Sequence, residues 1–222
     1  MVACPHCGYT ANNIPAMSIH PASTRRVGPD PADARVTVIA LHGRDQTADF
    51  MVEHIVSPLA RTDIAWLLPQ AAAGSWYPDR ADTGSRANTA ATELALDQLA
   101  QLEAQLEQAS TRMVILGFSQ GACLACEYVA RAGRPYSALV ALTGSLMGSA
   151  PARFDVQPGL AQMPVLLAAG DADPWISSER LEATARAFER AGADVTIHIT
   201  KDADHRIRVT EVAAVGELLD AR

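Results

Sequence analysis

The sequence predicts an α/β fold, a mostly parallel central sheet with helices on both faces. Apolar and β-branched runs such as Arg35-Val36-Thr37-Val38-Ile39-Ala40-Leu41 and Arg112-Met113-Val114-Ile115-Leu116 suit strands buried on both sides, as central parallel strands are. These runs alternate with helical patterns and show no internal repeat, the order expected when helices cover both faces of a parallel sheet. The second run leads straight into Gly117-Phe118-Ser119-Gln120-Gly121 and then the helical stretch Ala122 to Ala130. A G-x-S-x-G pattern carries chemical meaning in that strand-turn-helix setting.

Residues 1–34 are rich in Pro, Ala and Asn and read as an N-terminal tail with a first edge strand near Ala16 to His20 and a turn at Gly28-Pro29-Asp30-Pro31. Residues 35–222 read as the catalytic domain, so the chain is one domain overall; at 222 residues and 49% hydrophobic content it can bury one sizeable core. After the strand ending at Leu41, a helix is expected over about Ala48 to Leu59 and a strand over Asp63 to Leu68. The stretch Ala71 to Ala87, with Gly74-Ser75-Trp76-Tyr77-Pro78, carries too much Gly, Pro and Asp for a regular element. A long loop of that kind beside a sheet either shapes a pocket or caps the core with its aromatics. From Asn88 to Ala109, Ala95, Leu99, Leu102 and Leu106 recur at three and four residues among Gln and Glu, an amphipathic helix. Further strands are expected at Ala138 to Thr143, Val165 to Ala169 and Val195 to Thr200, with helices at about Ser177 to Ala191 and Thr210 to Leu219.

Ser119 is the candidate nucleophile. A sharp strand-to-helix turn lifts its hydroxyl above the sheet, and glycine at Gly117 and Gly121 lets neighbouring backbone come close. A serine needs a base and an orienting carboxylate, which in this setting follow in the order Ser, Asp, His. The run Pro164 to Ala169 leads into Gly170-Asp171-Ala172-Asp173-Pro174, and Ala203-Asp204-His205-Arg206-Ile207 supplies a histidine in a loop further on. All three candidates lie where a parallel strand ends, the edge at which open α/β sheets build their sites. Between the two aspartates, Asp173 is held extended by Pro174 and reaches toward the histidine loop, while Asp171 is expected to bond turn amides. Of the other histidines, His42 in Leu41-His42-Gly43 is expected to order the loop under the site, and His20, His54 and His198 read as surface or structural residues.

The elbow nominates the backbone N–H of Gln120 as one oxyanion donor. A second is expected from the loop after Leu41, where Gly43 allows the chain to turn inward and Arg44 offers its N–H. Trp76, Tyr77 and Met147 are expected to form an apolar wall for the acyl group.

Charge and cysteine usage narrow the classes. A net charge of −7, with seventeen Arg and a lone Lys201 scattered in no basic run, argues against nucleic acid or an anionic membrane as partner. No segment approaches the ~18 consecutive apolar residues of a membrane span, and Met1 to Cys7 lacks the basic and apolar regions of a signal peptide. A cytoplasmic location follows as the expectation. The four cysteines form two C-x-x-C pairs. Cys123 and Cys126 share one helix face with Ala122 and Val129 and read as small packing residues. Cys4 and Cys7, with His6 between, form half of a metal site at most, so no resident metal is expected.

Leu41-His42-Gly43, Trp76, Gly117-Phe118-Ser119-Gln120-Gly121-Ala122, Gly170-Asp171-Ala172-Asp173-Pro174 and His205-Arg206-Ile207 together resemble the phospholipase/carboxylesterase family of α/β-hydrolases, which includes acyl-protein thioesterases and small bacterial carboxylesterases. The resemblance covers about residues 35–220. It implies an α/β-hydrolase fold without a large lid domain and cofactor-free hydrolysis of small-molecule carboxylic esters or thioesters. It also implies Ser119, Asp173 and His205 as triad, with Gln120 and Arg44 as oxyanion donors. Two departures stand out: Asp204 replaces a glycine usual before the histidine, and Arg44-Asp45 replaces a common apolar-glycine pair. Arg44 then either favours an acidic acyl group or pairs with Asp45 or another carboxylate. The expected activity is a carboxylesterase for small to medium acyl chains, acting as a monomer or homodimer. A lysophospholipase or acyl-protein thioesterase is the alternative, and a metal- or thiol-binding sensor built on Cys4, His6 and Cys7 is a third reading.

Overall fold

A computed structural model describes residues 24–83, 85–106, 112–149 and 154–221. The strand expected near Ala16 to His20 and the Cys4 to Cys7 motif lie outside them. Strand β1 is Arg25–Val27, β2 Val36–Leu41, β3 Ile64–Leu68, β4 Met113–Phe118, β5 Ala138–Leu142, β6 Pro164–Gly170 and β7 Asp194–Thr200. They form one sheet in the order β1-β3-β2-β4-β5-β6-β7. All neighbours are parallel except β1, which pairs antiparallel with β3 through Arg25 opposite Leu68 and Val27 opposite Trp66. Among the described residues the sheet begins at Arg25, inside the segment expected to hold the tail and first edge strand.

Every residue of β2, β3, β4 and β5 is buried, because helices lie on both faces. The alternation of the pleat still sorts them. Ile39, Leu41, Ile115, Leu139 and Leu167 face one core layer; Val38, Ala40, Val114, Leu116 and Val140 face the other. The first layer is closed by α2 (Arg86–Ala104), α3 (Gln120–Ala132) and α4 (Ser178–Arg190). The second is closed by α1, residues 48–59, and α5 (Val209–Asp220). Truncating a fully buried side chain such as Leu116 to alanine would cost about 2–5 kcal/mol. β7, at the sheet edge, is largely exposed except for Val195 and Ile197, which pack on the core.

The helix starts follow from sequence. Thr47, Ser85 and Ser177 each accept the backbone N–H of the third residue of α1, α2 and α4, the capping that short hydroxyl side chains provide. Within α1, Val52–Val56 winds as π-helix between two α-helical turns. Among the described residues, no helix is long and apolar enough to cross a membrane.

Topology locates the functional edge. The chain runs from β2 to β3 on one side of β2, then crosses back to β4 on its other side. Ligands of open α/β sheets bind at such a switch point, outside the carboxyl ends of the strands.

Candidate active site

Ser119 sits between β4 and α3 with φ 53° and ψ −117°, a strained backbone for any residue but glycine. The turn is held by close packing: a Cβ at Gly117 would collide with the carbonyl of Gly121, and one at Gly121 with the carbonyls of Leu41 and His42. The Ser119 N–H donates to Leu142 O at 2.9 Å, and its carbonyl accepts from Cys123 N at 3.0 Å. The hydroxyl therefore rests on backbone fixed from both sides.

His205 and Asp173 reach it from the ends of β7 and β6. His205 Nε2 lies 2.7 Å from Ser119 Oγ, and His205 Nδ1 lies 2.8 Å from Asp173 Oδ2. The Asp173 side chain is fully buried, and its other oxygen accepts N–H groups from Trp175 and Ile176 at 2.8 and 2.9 Å. Those bonds leave one oxygen free to orient the imidazole. The two loops are tied to each other as well. Asp171 Oδ1 accepts the Asp202 N–H at 3.0 Å, so it bonds an amide of the histidine loop and none of its own turn. Buried Arg208 donates to Asp202 Oδ2 at 2.9 Å and to the carbonyl of Asp204, the residue before the histidine, at 2.6 Å. The Asp204 amide, with Arg208 and Arg206, pulls the Asp202 carboxyl down to about 2.

The loop after β2 completes the edge. His42 is fully buried; its Nδ1–H donates to Gly43 O at 2.7 Å and its Nε2 accepts from Ala71 N at 3.1 Å. Burial lowers its pKa, which keeps the ring neutral and able to accept at Nε2. Gln46 Oε1 accepts the Gly43 N–H at 3.0 Å. Arg44 and Gln120 both border the cavity above Ser119. Among the described residues, no hydrogen bond outside the regular elements uses either of their backbone N–H groups. The Gln120 side chain has a separate task that its motif did not disclose. It accepts from Trp76 N at 3.0 Å and donates to Tyr77 O at 2.7 Å and Ser75 Oγ at 3.0 Å, binding the long loop to the elbow.

The phospholipase/carboxylesterase family model matches residues 26–222. This chain belongs to that family. Its fold is that of a phospholipase/carboxylesterase from Dyadobacter fermentans, with TM-score 0.81 and 29% identity over 92% of this chain and 99% of that one. A Bacillus cereus carboxylesterase shares the fold at TM-score 0.71 and 22% identity, over 90% and 95% of the two chains. Arabidopsis thaliana SOBER1 shares it at 0.70 and 19%, over 85% and 99%. No functionally curated protein matches the chain by sequence.

In this phospholipase/carboxylesterase family member, Ser119 and His205 open into a cavity of about 350 Å³, near the small end of ligand sites. Its apolar walls are Tyr77, Phe118, Trp175 and Ile176. Of the three wall residues expected from sequence, Tyr77 borders the cavity while Trp76 and Met147 do not. Trp76 turns inward because its indole N–H donates to His42 O at 2.7 Å, leaving the ring 2% exposed. Met147 packs against Thr92 instead, with its N–H on Glu127. Trp175 carries a signal in the sequence, since it directly follows Asp173-Pro174.

The Arg44 side chain departs from the reading in which it pairs with a carboxylate, though it borders the cavity as the other reading requires. Its guanidinium donates to Ser75 Oγ, Pro78 O and Asp79 O at 3.2, 2.8 and 2.5 Å, clamping loop carbonyls and, among the described residues, pairing with no carboxylate. Asp45 beside it has φ 58°, the left-handed region where the expected glycine would be unstrained. Cys123 and Cys126 are free and buried, and burial raises both thiols, so neither is a thiolate near the elbow. Among the described residues, no group of three or more His, Cys, Asp or Glu is arranged to hold a metal.

Proposed function

We infer that the protein is a serine hydrolase of small to medium carboxylic esters, working through an acyl-enzyme. The observation that carries this reading is the unbroken hydrogen-bonded path from Asp173 through His205 to Ser119, at 2.8 and 2.7 Å. His205 Nε2 takes the hydroxyl proton as Ser119 Oγ attacks the ester carbonyl carbon. The oxygen that becomes negative accepts from the N–H groups of Gln120 and Arg44, which border the cavity and, among the described residues, are left over by the hydrogen bonds outside the regular elements. His205 then passes the proton to the departing alcohol, and the acyl group stays on Ser119. A water molecule repeats the sequence to release the acid. Asp173 keeps Nδ1 protonated and steadies the imidazolium formed in each half-reaction.

Cavity size favours short acyl chains over lipid substrates. A lysophospholipase or protein-thioester hydrolase would need a long apolar groove, and the space beside Ser119 is about 350 Å³. Hydrolysis of a p-nitrophenyl ester series by wild type and Ser119→Ala tests both points. We expect activity to depend on Ser119 and to fall steeply beyond short or medium chains. Rates that keep rising to long chains would favour the lipid alternative, and rates untouched by Ser119→Ala would remove the serine mechanism.

A further inference from the structure

The cavity beside Ser119 has a cationic end that ester hydrolysis alone does not require. Arg180, in the first turn of α4, is 7% exposed yet borders the cavity. Its guanidinium donates to Ser145 Oγ at 3.0 Å, Gly148 O at 2.9 Å and Leu146 O at 2.6 Å, and one face lies 5.0 Å from the Phe154 ring centroid. These partners are all neutral. They occupy three of the five N–H groups a guanidinium carries, and among the described residues no carboxylate lies within ion-pair distance. A buried cation without an anion is costly. Asp82, a cavity carboxylate in electrostatic reach of Arg180, already forms a two-point pair with Arg80 at 3.1 and 3.0 Å. Cys123 cannot supply the charge, because its thiol is buried and neutral.

A second, independent feature adjoins this one. Thr143, two residues before Ser145 and also bordering the cavity, is 0% exposed and has φ 57°, a conformation rare for a β-branched residue. Its Oγ1 has no hydrogen-bond partner. A buried hydroxyl left unpaired is itself unfavourable, and strain of this kind gathers at ligand sites. In a protein of net charge −7, an arginine without an ion-pair partner among the described residues and an idle hydroxyl thus border one cavity.

We propose that Arg180 and Thr143 form an anion-recognition end of the cavity, so that the preferred esters carry a carboxylate close to the scissile bond. This deepens the hydrolase reading and rests on it. The incoming carboxylate takes the guanidinium N–H groups that Ser145, Leu146 and Gly148 leave over and accepts the Thr143 hydroxyl. Charge-assisted bonds of that type are the strong ones.

Two matched pairs of esters test this on the full chain. Mono-4-nitrophenyl succinate against 4-nitrophenyl levulinate exchanges a carboxylate for a methyl ketone on the acyl side; 4-carboxyphenyl acetate against 4-acetylphenyl acetate does so on the leaving group. In at least one pair, kcat/KM for the charged member should exceed that of the neutral one by roughly ten- to a hundredfold. That ratio should collapse toward one in Arg180→Met, recover in part in Arg180→Lys, and shrink several-fold in Thr143→Val. Ratios at or below one in both pairs overturn the proposal. So does a ratio that Arg180→Met leaves intact, the outcome if the arginine only clamps residues 145–148. Should Arg180→Met fail to fold, the wild-type ratio and its response to Thr143→Val decide. Should no ester be cleaved, the hydrolase reading falls and calorimetry with succinate decides instead. Binding weakened at least about tenfold by Arg180→Met supports the anion site, and absence of binding at roughly 10 mM overturns it.

Discussion

At the carboxyl end of the strands, Ser119 and Thr143 hold positive φ, and buried His42, Gln120, Asp173 and Arg180 direct their hydrogen bonds into loops. At the amino end, Arg35, Arg61, Asp63 and Asp220 meet in part-exposed ion pairs: Arg35 with Asp63 at 2.7 Å, Arg61 with Asp63 at 3.0 Å, and Arg61 with Asp220. One edge holds strain and desolvated polar groups in fixed positions; the other closes the sheet with contacts that water could replace. Strain and buried polarity cost stability and are retained where geometry must be exact to a fraction of an ångström. Surface pairs contribute little and tolerate change. Substitutions at the two edges should therefore differ in kind as well as size.

The largest effect is expected from Asp173→Asn. The side chain keeps its shape and its amide oxygen can still accept the Trp175 and Ile176 N–H groups, but its NH2 then faces Nδ1, the imidazole is left in the wrong tautomer, and kcat should drop on the order of 10⁴-fold with the fold retained. Steady-state kinetics and circular dichroism check both halves; a loss below tenfold would remove the orienting role. Next comes Gln120→Ala, which strips partners from Trp76 N–H and Tyr77 C=O. Thermal and denaturant unfolding should show a loss of about 1–3 kcal/mol, accompanied by lower kcat/KM as the long loop loosens. Full activity in a destabilised Gln120→Ala protein would separate the loop from the site.

The smallest effect belongs to the amino end. In Asp63→Asn we expect at most about 1 kcal/mol lost at neutral pH and kcat/KM unchanged. Hydrogen bonds from Arg61, then Arg35, hold the Asp63 carboxyl well below the usual carboxylate range. A depressed pKa stabilises the fold above the unfolded value near ~4 and loses that contribution as pH falls below it. The gap between wild type and Asp63→Asn should thus narrow on acidification and shrink with added salt. A gap that widens in acid would contradict the assigned cause.

How much of this was legible in the sequence depends on how local the signal is. The elbow is written within five residues, since Gly117 and Gly121 are demanded by backbone contacts on either side of Ser119. Asp173 was legible through Pro174, which constrains its backbone. The strands from β2 to β6 announced themselves as continuous apolar runs. Trp76 and Met147 were misread because a side chain in an irregular loop points wherever its hydrogen bonds lead, here toward His42 O and the α2 face. Arg44 was misread for a related reason: its acceptors are carbonyls some thirty residues away, which no pattern marks. Arg180 left a trace. It shares a helix face with Ala183, Thr184 and Ala187, all buried, and a charge on that stripe is anomalous. Thr143 left none, because its φ arises from packing at the end of β5.

The central claim is that Ser119 is an activated nucleophile, made so by His205 and Asp173. Intact-protein mass spectrometry after treatment with a fluorophosphonate measures it directly. The account predicts a single adduct on the peptide containing Ser119, formed by the folded protein and lost in His205→Ala and after denaturation. Failure of the folded protein to react, or an adduct on another residue with Ser119 unmodified, would contradict it.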